Sequence, residues 1–321
     1  MIKNPNFKVI LIGDGSVGSS FAFAMTLKGL GRELGIIDIN KNKTIGDAMD
    51  LNPVLTYNYS KIIYSAEYSD CKNADLVVIT SGAPQKPGET RLQLVDKNLK
   101  IVKDVVDNVM ASGFDGLFLV AANPVDILSY AVKEFSGFPR ERVISSGTSL
   151  DSARFCDEIS RFVGVDPRDI TAYIMGEHGD SSFPVWSCAN IAGKKASQWI
   201  KEKTDDLEGA KEKIYTNVRD VAYRIIETKG ATYYGVATVL ARICRHIIED
   251  SHSIITVGAC LEGEYGLNGV YMGTPCVIGR NGIEKVIEID LSDDEMALMK
   301  KSYNAIKEVQ DAGMKKIYEN I

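Results

Sequence analysis

The sequence has few of the residues that hold metals or disulfides. It contains three histidines and six cysteines in 321 residues, and the cysteines are scattered with no Cys-x-x-Cys pair. We therefore expect no metal site and no disulfide framework. Free, mostly buried thiols are typical of a reducing cytoplasm, which is the location we expect. No run of about 18 apolar residues occurs, so no membrane-spanning helix is expected, and residues 1–6 lack the pattern of a signal peptide.

The chain also lacks an excess of positive charge. Lys and Arg total 37 against 43 Asp and Glu, which gives a net charge of −6. Because affinity for phosphate backbones depends on clustered cations, binding to DNA or RNA is not expected. A small anionic ligand needs only one or two placed cations. Hydrophobic residues make up 45% and charged residues 25%, which excludes a disordered or fibrous chain. The length suggests two domains.

The first half of the chain alternates short apolar runs with helical patterns. A helix is predicted at 17–28, and another over 92–109, where apolar residues recur at steps of three and four. The predicted strands are 8–12, 34–38, 61–64, 75–80, 116–121 and 142–146. The apolar face of the second helix consists of Leu92, Val95, Leu99, Val102, Val106 and Val109. Strands that alternate with helices predict an α/β fold with a doubly wound parallel sheet over residues 1–147.

The pattern changes after residue 147. Helices are predicted at 148–163 and 208–228, and a last helix begins with a capping box at 292–295. Its apolar stripe is expected to face the core or another subunit, and it consists of Met296, Met299, Tyr303 and Ile306. The intervening hairpin-like segments are 254–262, 269–278 and 282–290. This pattern predicts a second, α+β domain over 148–321, packed closely on the first with any cleft between them.

Residues 13–18 fit the pattern G-x-G-x-x-G between a predicted strand and a predicted helix, and Asp38 follows twenty residues later. Gly13 permits the tight turn, Gly15 lets the backbone approach a pyrophosphate, and Gly18 lets the helix pack on the strand. Asp38 can accept hydrogen bonds from the adenosine ribose and would repel a 2′-phosphate. The first domain is therefore expected to be a Rossmann domain that binds NAD rather than NADP.

Polar groups elsewhere suggest chemistry on a carbonyl. Residues 81–91 form a Pro- and Gly-containing loop at the carboxyl end of a strand, and Arg91 begins a helix where a cation is unfavourable for the helix dipole. Asp151 and Arg154 share one helix face, and His178 lies in a Gly-flanked polar stretch. A histidine, a carboxylate and two arginines are what a carbonyl reduction requires. A surface ion pair and a structural histidine remain alternatives, because spacing does not show that the four residues meet.

Six ordered stretches resemble the lactate/malate dehydrogenase family, and the resemblance extends from about residue 7 to residue 320. The matching stretches are 9–18, 82–94, 123–126, 147–155, 176–180 and 229–235. The resemblance implies hydride transfer between NAD(H) and a small 2-oxo or 2-hydroxy acid. It also implies the roles of four side chains. His178 exchanges a proton with the substrate oxygen, Asp151 orients it, Arg154 binds the substrate carboxylate, and Arg91 polarises the carbonyl.

The resemblance extends to cofactor contacts and to the choice of substrate. Val17 and Gly82 join the cofactor-binding residues, Asn123 contacts the nicotinamide ribose and the substrate oxygen, and Val236 packs on the nicotinamide ring. Malate enzymes of the family typically carry Arg at the position of Gln85. A neutral Gln would leave the second carboxylate of oxaloacetate unpaired.

Thr232 also matches the pattern of the lactate enzymes, so pyruvate and L-lactate are the expected substrates. A malate enzyme, and an enzyme for bulkier 2-hydroxy acids, are the alternatives within the family. A non-catalytic redox sensor that holds NAD and a Rossmann-type methyltransferase are the alternatives outside it, although neither would need His178 or the two arginines.

The resemblance also bears on assembly and regulation. It implies a homotetramer. Many bacterial members bind fructose 1,6-bisphosphate between subunits, through an Arg two residues after the substrate-binding Arg and a His seven residues before the catalytic His. Those positions hold Cys156 and Thr171 here. Neither side chain carries a cation for phosphate, so we expect weak or absent activation.

Overall fold

A computed structural model describes residues 6–57, 59–84 and 91–319, apart from the side chain of Arg91. The helices are α1 Ser16–Leu27, α2 Lys41–Val54, α3 Arg91–Ala111, α4 Val125–Ser136, α5 Ser149–Val163, α6 Ala196–Lys201, α7 Leu207–Lys229, α8 Tyr234–Glu249 and α9 Asp293–Glu319. The strands of the first half are β1 Lys8–Ile12, β2 Glu33–Ile37, β3 Ile62–Ser65, β4 Leu76–Ile79, β5 Leu117–Val120 and β6 Val143–Ser145. Those of the second half are β7 Ile170–Thr171, β8 Ile174–Met175, β9 Phe183–Pro184, β10 Asn190–Ile191, β11 Lys194–Lys195, β12 Ser253–Glu262, β13 Asn268–Gly279 and β14 Gly282–Val286.

The first six strands form the predicted doubly wound parallel sheet. Their order is β3-β2-β1-β4-β5-β6, and each neighbouring pair is parallel. The strand order reverses between β1 and β4, because the chain passes from β3 at one edge back to β4 beside β1. Ligands bind at this point in sheets of this kind. The loops that follow β1, β2, β4, β5 and β6 therefore lie along one edge, because the carboxyl ends of parallel strands coincide. The α/β fold class is confirmed.

The hairpin strands of the second half continue this sheet instead of forming a separate one. Strand β12 pairs antiparallel with β6 at Gly258 and Ser145, and β13 and β14 follow. A Cβ on Gly258 would lie 2.5 Å from the Ser145 Cβ, so glycine permits this junction. The prediction for 282–290 was too long, since β14 ends at Val286.

Apolar cores cover both faces of the sheet. One core joins α3, α4 and α9 to the sheet, a second joins α1, α2 and α8, and a third lies among α5, α6 and α7. The predicted apolar face of α3 is buried from Val95 to Val109, but Leu92 is 43% exposed. In the stripe of α9, Met299 and Ile306 are buried in the first core, and Met296 and Tyr303 pack against it. Among the described residues, no helix is long and apolar enough to cross a membrane.

The start of α9 has the predicted capping box. The Glu295 N–H donates to the Ser292 hydroxyl at 3.3 Å, and the Ser292 N–H donates to the Glu295 carboxylate at 2.9 Å. The same carboxylate accepts a hydrogen bond from the Ser187 hydroxyl at 2.6 Å. A local cap therefore also fixes α9 against the segment that follows β9.

Candidate active site

The turn after β1 has the geometry that a dinucleotide needs. Gly13 has φ +104°, and a Cβ there would lie 2.4 Å from the Ser81 nitrogen. A Cβ on Gly18 would lie 1.9 Å from the Gly13 oxygen, so α1 packs on the turn only because this residue is glycine. A Cβ on Gly15 would have no neighbouring atom within 4 Å. Gly15 is also the N-cap residue of α1. The open space at a helix N-terminus fits the approach of a pyrophosphate.

Asp38 is fixed at the end of β2. Its two carboxylate oxygens accept the N–H of Asp14 at 2.6 Å and the N–H of Asn40 at 2.8 Å. Each oxygen keeps a lone pair for a ribose hydroxyl. The neighbouring Asp14 carboxyl is buried, with Lys43 Nζ at 3.1 Å. Burial raises the pKa of Asp14 to about 6, although Lys43 acts in the opposite direction.

His178 joins three segments that are far apart in sequence. Its Nδ1 lies 2.7 Å from the Asp151 Oδ2, and its backbone N–H donates to the Asp126 carboxylate at 2.7 Å. Arg154 donates to the other oxygen of Asp151 at 3.2 Å. The His178 side chain remains 29% exposed, so a small molecule can reach it. With Nδ1 occupied by Asp151, Nε2 is the nitrogen available to exchange a proton with a ligand.

The charges around His178 favour its protonated form. Burial alone lowers the pKa of His178, but the charge and hydrogen bond of Asp151, with the charge of Asp126, raise it above its ordinary value. Burial raises the pKa of Asp151, but His178 and Arg154 bring it below its ordinary value. The pair is therefore suited to hold an imidazolium beside a carboxylate.

The loops after β4 and β5 meet at the same edge of the sheet. Gly82 and Asn123 are both exposed, and a Cβ on Gly82 would lie 3.4 Å from the Ala122 Cβ. The Asn123 carbonyl accepts a hydrogen bond from the buried side chain of Asn98 at 2.7 Å. These two loops therefore have a fixed relation to each other.

Thr232 and Val236 lie at the junction of α7 and α8. A Cβ on Gly235 would lie 3.0 Å from the Leu150 Cδ1, so the first turn of α8 packs on the first turn of α5 beside Asp151. Val236 and Val17 are half-buried and pack on the same core, which lies under α8 and α1. Thr232 is half-buried in the connecting segment. The structure thus brings this junction to the helix that carries Asp151 and Arg154.

Two predicted site residues lie outside the described residues. Gln85 belongs to the segment 85–90, and of Arg91 only the backbone, which begins α3, is described. Their contacts with substrate stay predictions.

The structure also places Asp126 in the site, although the sequence analysis gave it no role. The available signal was its place in the matching stretch 123–126, six residues after β5 ends at Val120.

The comparisons with known proteins agree with this arrangement. Residues 7–145 match the family described as lactate/malate dehydrogenase, NAD binding domain, and residues 148–317 match lactate/malate dehydrogenase, alpha/beta C-terminal domain. The L-lactate dehydrogenase of Lacticaseibacillus casei is 57% identical over 302 residues, which are 94% of this chain and 93% of that one. L-lactate dehydrogenase 1 of Enterococcus faecalis is 56% identical over 96% of this chain and 94% of its own.

The solved structures give the same result. The minor L-lactate dehydrogenase of Enterococcus mundtii in its ligand-bound form superposes with a TM-score of 0.93 at 39% identity, covering 96% of this chain and 99% of that one. The chain belongs to the lactate/malate dehydrogenase family. The resemblance inferred from six stretches is confirmed, and the first half of the chain is an NAD-binding domain.

Proposed function

We propose that this chain acts as an NAD-dependent L-lactate dehydrogenase, which reduces pyruvate to L-lactate and catalyses the reverse reaction. The observation that carries the proposal is the contact of His178 with Asp151 at 2.7 Å on a helix that also presents Arg154. The relatives that match nearly the whole chain are L-lactate dehydrogenases. A non-catalytic NAD-binding protein would have no use for an accessible, charge-stabilised histidine.

The residues of the site have separate roles in a carbonyl reduction. When bound, the nicotinamide supplies the hydride. Protonated His178 gives its Nε2 proton to the substrate oxygen, and Asp151 stabilises the imidazolium before this step. Arg154 binds the substrate carboxylate through its planar fork, which a lysine does not offer. We assign polarisation of the carbonyl to Arg91, by the family pattern.

The cofactor is assigned to the carboxyl edge of the sheet. The turn after β1 would hold the pyrophosphate, Asp38 the adenosine ribose, and the loops after β4 and β5 with the start of α8 the nicotinamide end. The residues proposed for these contacts are Gly13, Gly15, Val17, Gly18, Asp38, Gly82, Asn123 and Val236. The open space at Gly15 and the fixed Asp38 carboxylate support this placement.

Substrate preference is assigned to Gln85 and Thr232. A neutral Gln85 leaves the second carboxylate of oxaloacetate without a cation, so pyruvate should be preferred by a large factor. The test is a panel of pyruvate, oxaloacetate and 2-ketoisocaproate with NADH, with Gln85→Arg as the variant that should move the preference toward oxaloacetate. Faster reduction of oxaloacetate than of pyruvate by the wild-type protein would indicate a malate enzyme. No turnover of any of the three would favour a binding protein.

We propose that fructose 1,6-bisphosphate activates this protein weakly or not at all. A cavity of about 710 Å³ is lined in part by Cys156 and Thr171. The Cys156 thiol lies 3.5 Å from the carbonyl oxygen of Ile170, and burial raises its pKa, so it stays neutral. Three arginines line the same cavity, Arg168, Arg242 and Arg245. Arg168 is paired with Asp166 at 2.8 Å and Arg245 lies 3.8 Å from Glu249, so the proposal rests on the lack of a cation at positions 156 and 171, with Arg242 as the cation that a phosphate could reach.

Pyruvate saturation curves with and without millimolar effector test this proposal. We expect the two curves to superimpose. A sigmoidal curve that the effector makes hyperbolic, with a several-fold lower half-saturation, would contradict it.

The proposed assembly is a homotetramer. Apolar side chains on the packed pair α1 and α8 remain exposed, among them Phe23 at 48%, Leu27 at 47% and Tyr234 at 67%, which suits a subunit contact. Light scattering of the purified protein tests the mass.

We also propose a domain boundary at residue 147, between the two family matches. All six cysteines are free, which supports a cytoplasmic location.

A further inference from the structure

We propose that Asn98 is a positioning residue, which fixes the backbone after β4 and β5 in the arrangement that substrate binding requires. The proposal rests on the proposed function, because it concerns the loops assigned to substrate and nicotinamide. Asn98 lies on α3 and is fully buried. Its neighbours on the inward face of α3, Val95 and Leu99, are apolar. A primary amide in such surroundings is unfavourable unless its polar atoms are hydrogen-bonded.

The Asn98 amide is bonded on both sides to backbone at the ends of two strands. Its Oδ1 accepts the N–H of Ala83 at 2.8 Å, and its Nδ2 donates to the Ala83 oxygen at 3.1 Å. The remaining Nδ2 hydrogen donates to the Asn123 oxygen at 2.7 Å. Both donors of the amide are used, so these partners determine its orientation. One side chain thus binds both backbone groups of Ala83 and also the carbonyl of Asn123.

The two bonded residues are adjacent to the residues assigned to the substrate. Asn123 is itself a proposed substrate contact, and Ala83 precedes Gln85 by two residues. Parallel strand pairing places β4 and β5 side by side and extends to the bond from the Ala121 N–H to the Ile79 oxygen at 2.9 Å, which lies before Ala83 and Asn123 along the two loops. Asn98 supplies bonds between α3 and both of those loops. Because substrate contacts tolerate little displacement, loss of these bonds should weaken substrate binding more than binding of the distant adenosine half.

The test uses two variants of the full-length protein. Asn98→Ala removes all three hydrogen bonds. Asn98→Asp keeps the size and the acceptor for the Ala83 N–H, but places a carboxylate oxygen, in place of Nδ2, against the carbonyls of Ala83 and Asn123. For each variant, kcat/KM for pyruvate is measured, with the Kd of oxamate for the enzyme–NADH complex and the Kd of AMP for the free enzyme. Oxamate has the shape and charge of pyruvate, whereas AMP occupies only the region around Asp38.

We expect at least a tenfold loss of oxamate affinity and of kcat/KM in both variants, with the AMP Kd within twofold of wild type. The matched control is Gln310→Ala, which removes another fully buried amide, one that donates to the Gly269 oxygen at 2.8 Å. This control should lower the unfolding temperature and leave the oxamate Kd unchanged.

Three outcomes would overturn the inference. They are an oxamate Kd within twofold of wild type, an equal weakening of oxamate and AMP, or the same loss of oxamate affinity in Gln310→Ala. If Asn98→Ala does not fold, Asn98→Asp decides the question. If the wild-type protein reduces no 2-oxo acid, it is the proposed function that fails, and with it the assignment of these loops.

Discussion

Replacement of Asp151 by Asn tests whether this carboxylate stabilises protonated His178. The variant keeps nearly the same shape and removes the charge that lies 2.7 Å from the histidine Nδ1. Each charge is spread over two atoms, so the centres of charge are about 4 Å apart. At an effective dielectric constant of about 20, unit charges at that separation attract by about 4 kcal/mol. This attraction favours the imidazolium, so its loss lowers the fraction of His178 that is protonated at neutral pH. The kcat/KM for pyruvate at that pH should then fall by a factor on the order of 10²–10³.

The pH dependence distinguishes the loss of this charge interaction from a general disruption of the site. Pyruvate reduction needs protonated His178, so kcat/KM is constant at low pH and falls as pH rises through the pKa of His178. Asp151 and Asp126 raise that pKa above its ordinary value. Lactate oxidation needs the neutral form, so its kcat/KM rises with pH through the same value. In Asp151→Asn, both transitions should move to lower pH, because the charge that favours the imidazolium is gone.

The assay follows NADH absorbance at a series of pH values for wild type, Asp151→Asn and Asp157→Asn. Asp157 lies on the same helix and is paired with exposed Arg161 at 2.9 Å, so its substitution controls for the loss of a carboxylate on α5. Asp157→Asn should keep the wild-type rate and profile. A rate within threefold of wild type in Asp151→Asn, or an unshifted profile, would refute the role given to Asp151.

Three further predictions concern substrate, cofactor and stability. Arg154→Lys should raise the KM for pyruvate about 10- to 100-fold, since one charge-assisted hydrogen bond of about 1.5–3 kcal/mol is lost, and near-normal kinetics would contradict the assignment. The protein should use NADH in strong preference to NADPH, and Asp38→Ala should narrow the difference, so equal rates with both cofactors in the wild type would remove the role of Asp38. Asp14 has a pKa raised to about 6 by burial. The folded protein therefore holds this proton more tightly than the unfolded chain. Wild type should lose stability relative to Asp14→Asn as pH rises from about 4 to about 6, by about 2 kcal/mol. Urea unfolding of both proteins at the two ends of that range measures the difference, and an equal difference at both ends would contradict it.

Local patterns in the sequence were sufficient for the parts of the fold that depend on neighbours along the chain. The turn at 13–18 is one case, because the small residue at Gly18 is required by an oxygen only five residues away. The capping box of α9 is another, because its partners, Ser292 and Glu295, are three residues apart. The period of apolar residues predicted the buried face of α3 for the same reason. It failed at Leu92, which is 43% exposed at the start of the helix with no covering neighbour among the described residues.

Contacts between distant parts of the chain were decided by the tertiary structure. His178 meets Asp151 across 27 residues and Asp126 across 52. The first pair was predicted only through family resemblance, and the second was not predicted. Asn98 meets Ala83 and Asn123 across 15 and 25 residues, although its place on an apolar helix face suggested nothing about a site. The hairpins of the second half were predicted, but their union with β6 was not. Residue spacing determines which face of a helix or strand a side chain occupies, whereas the path of the chain over the sheet determines which other face it meets, and that path depends on all the packing interactions together.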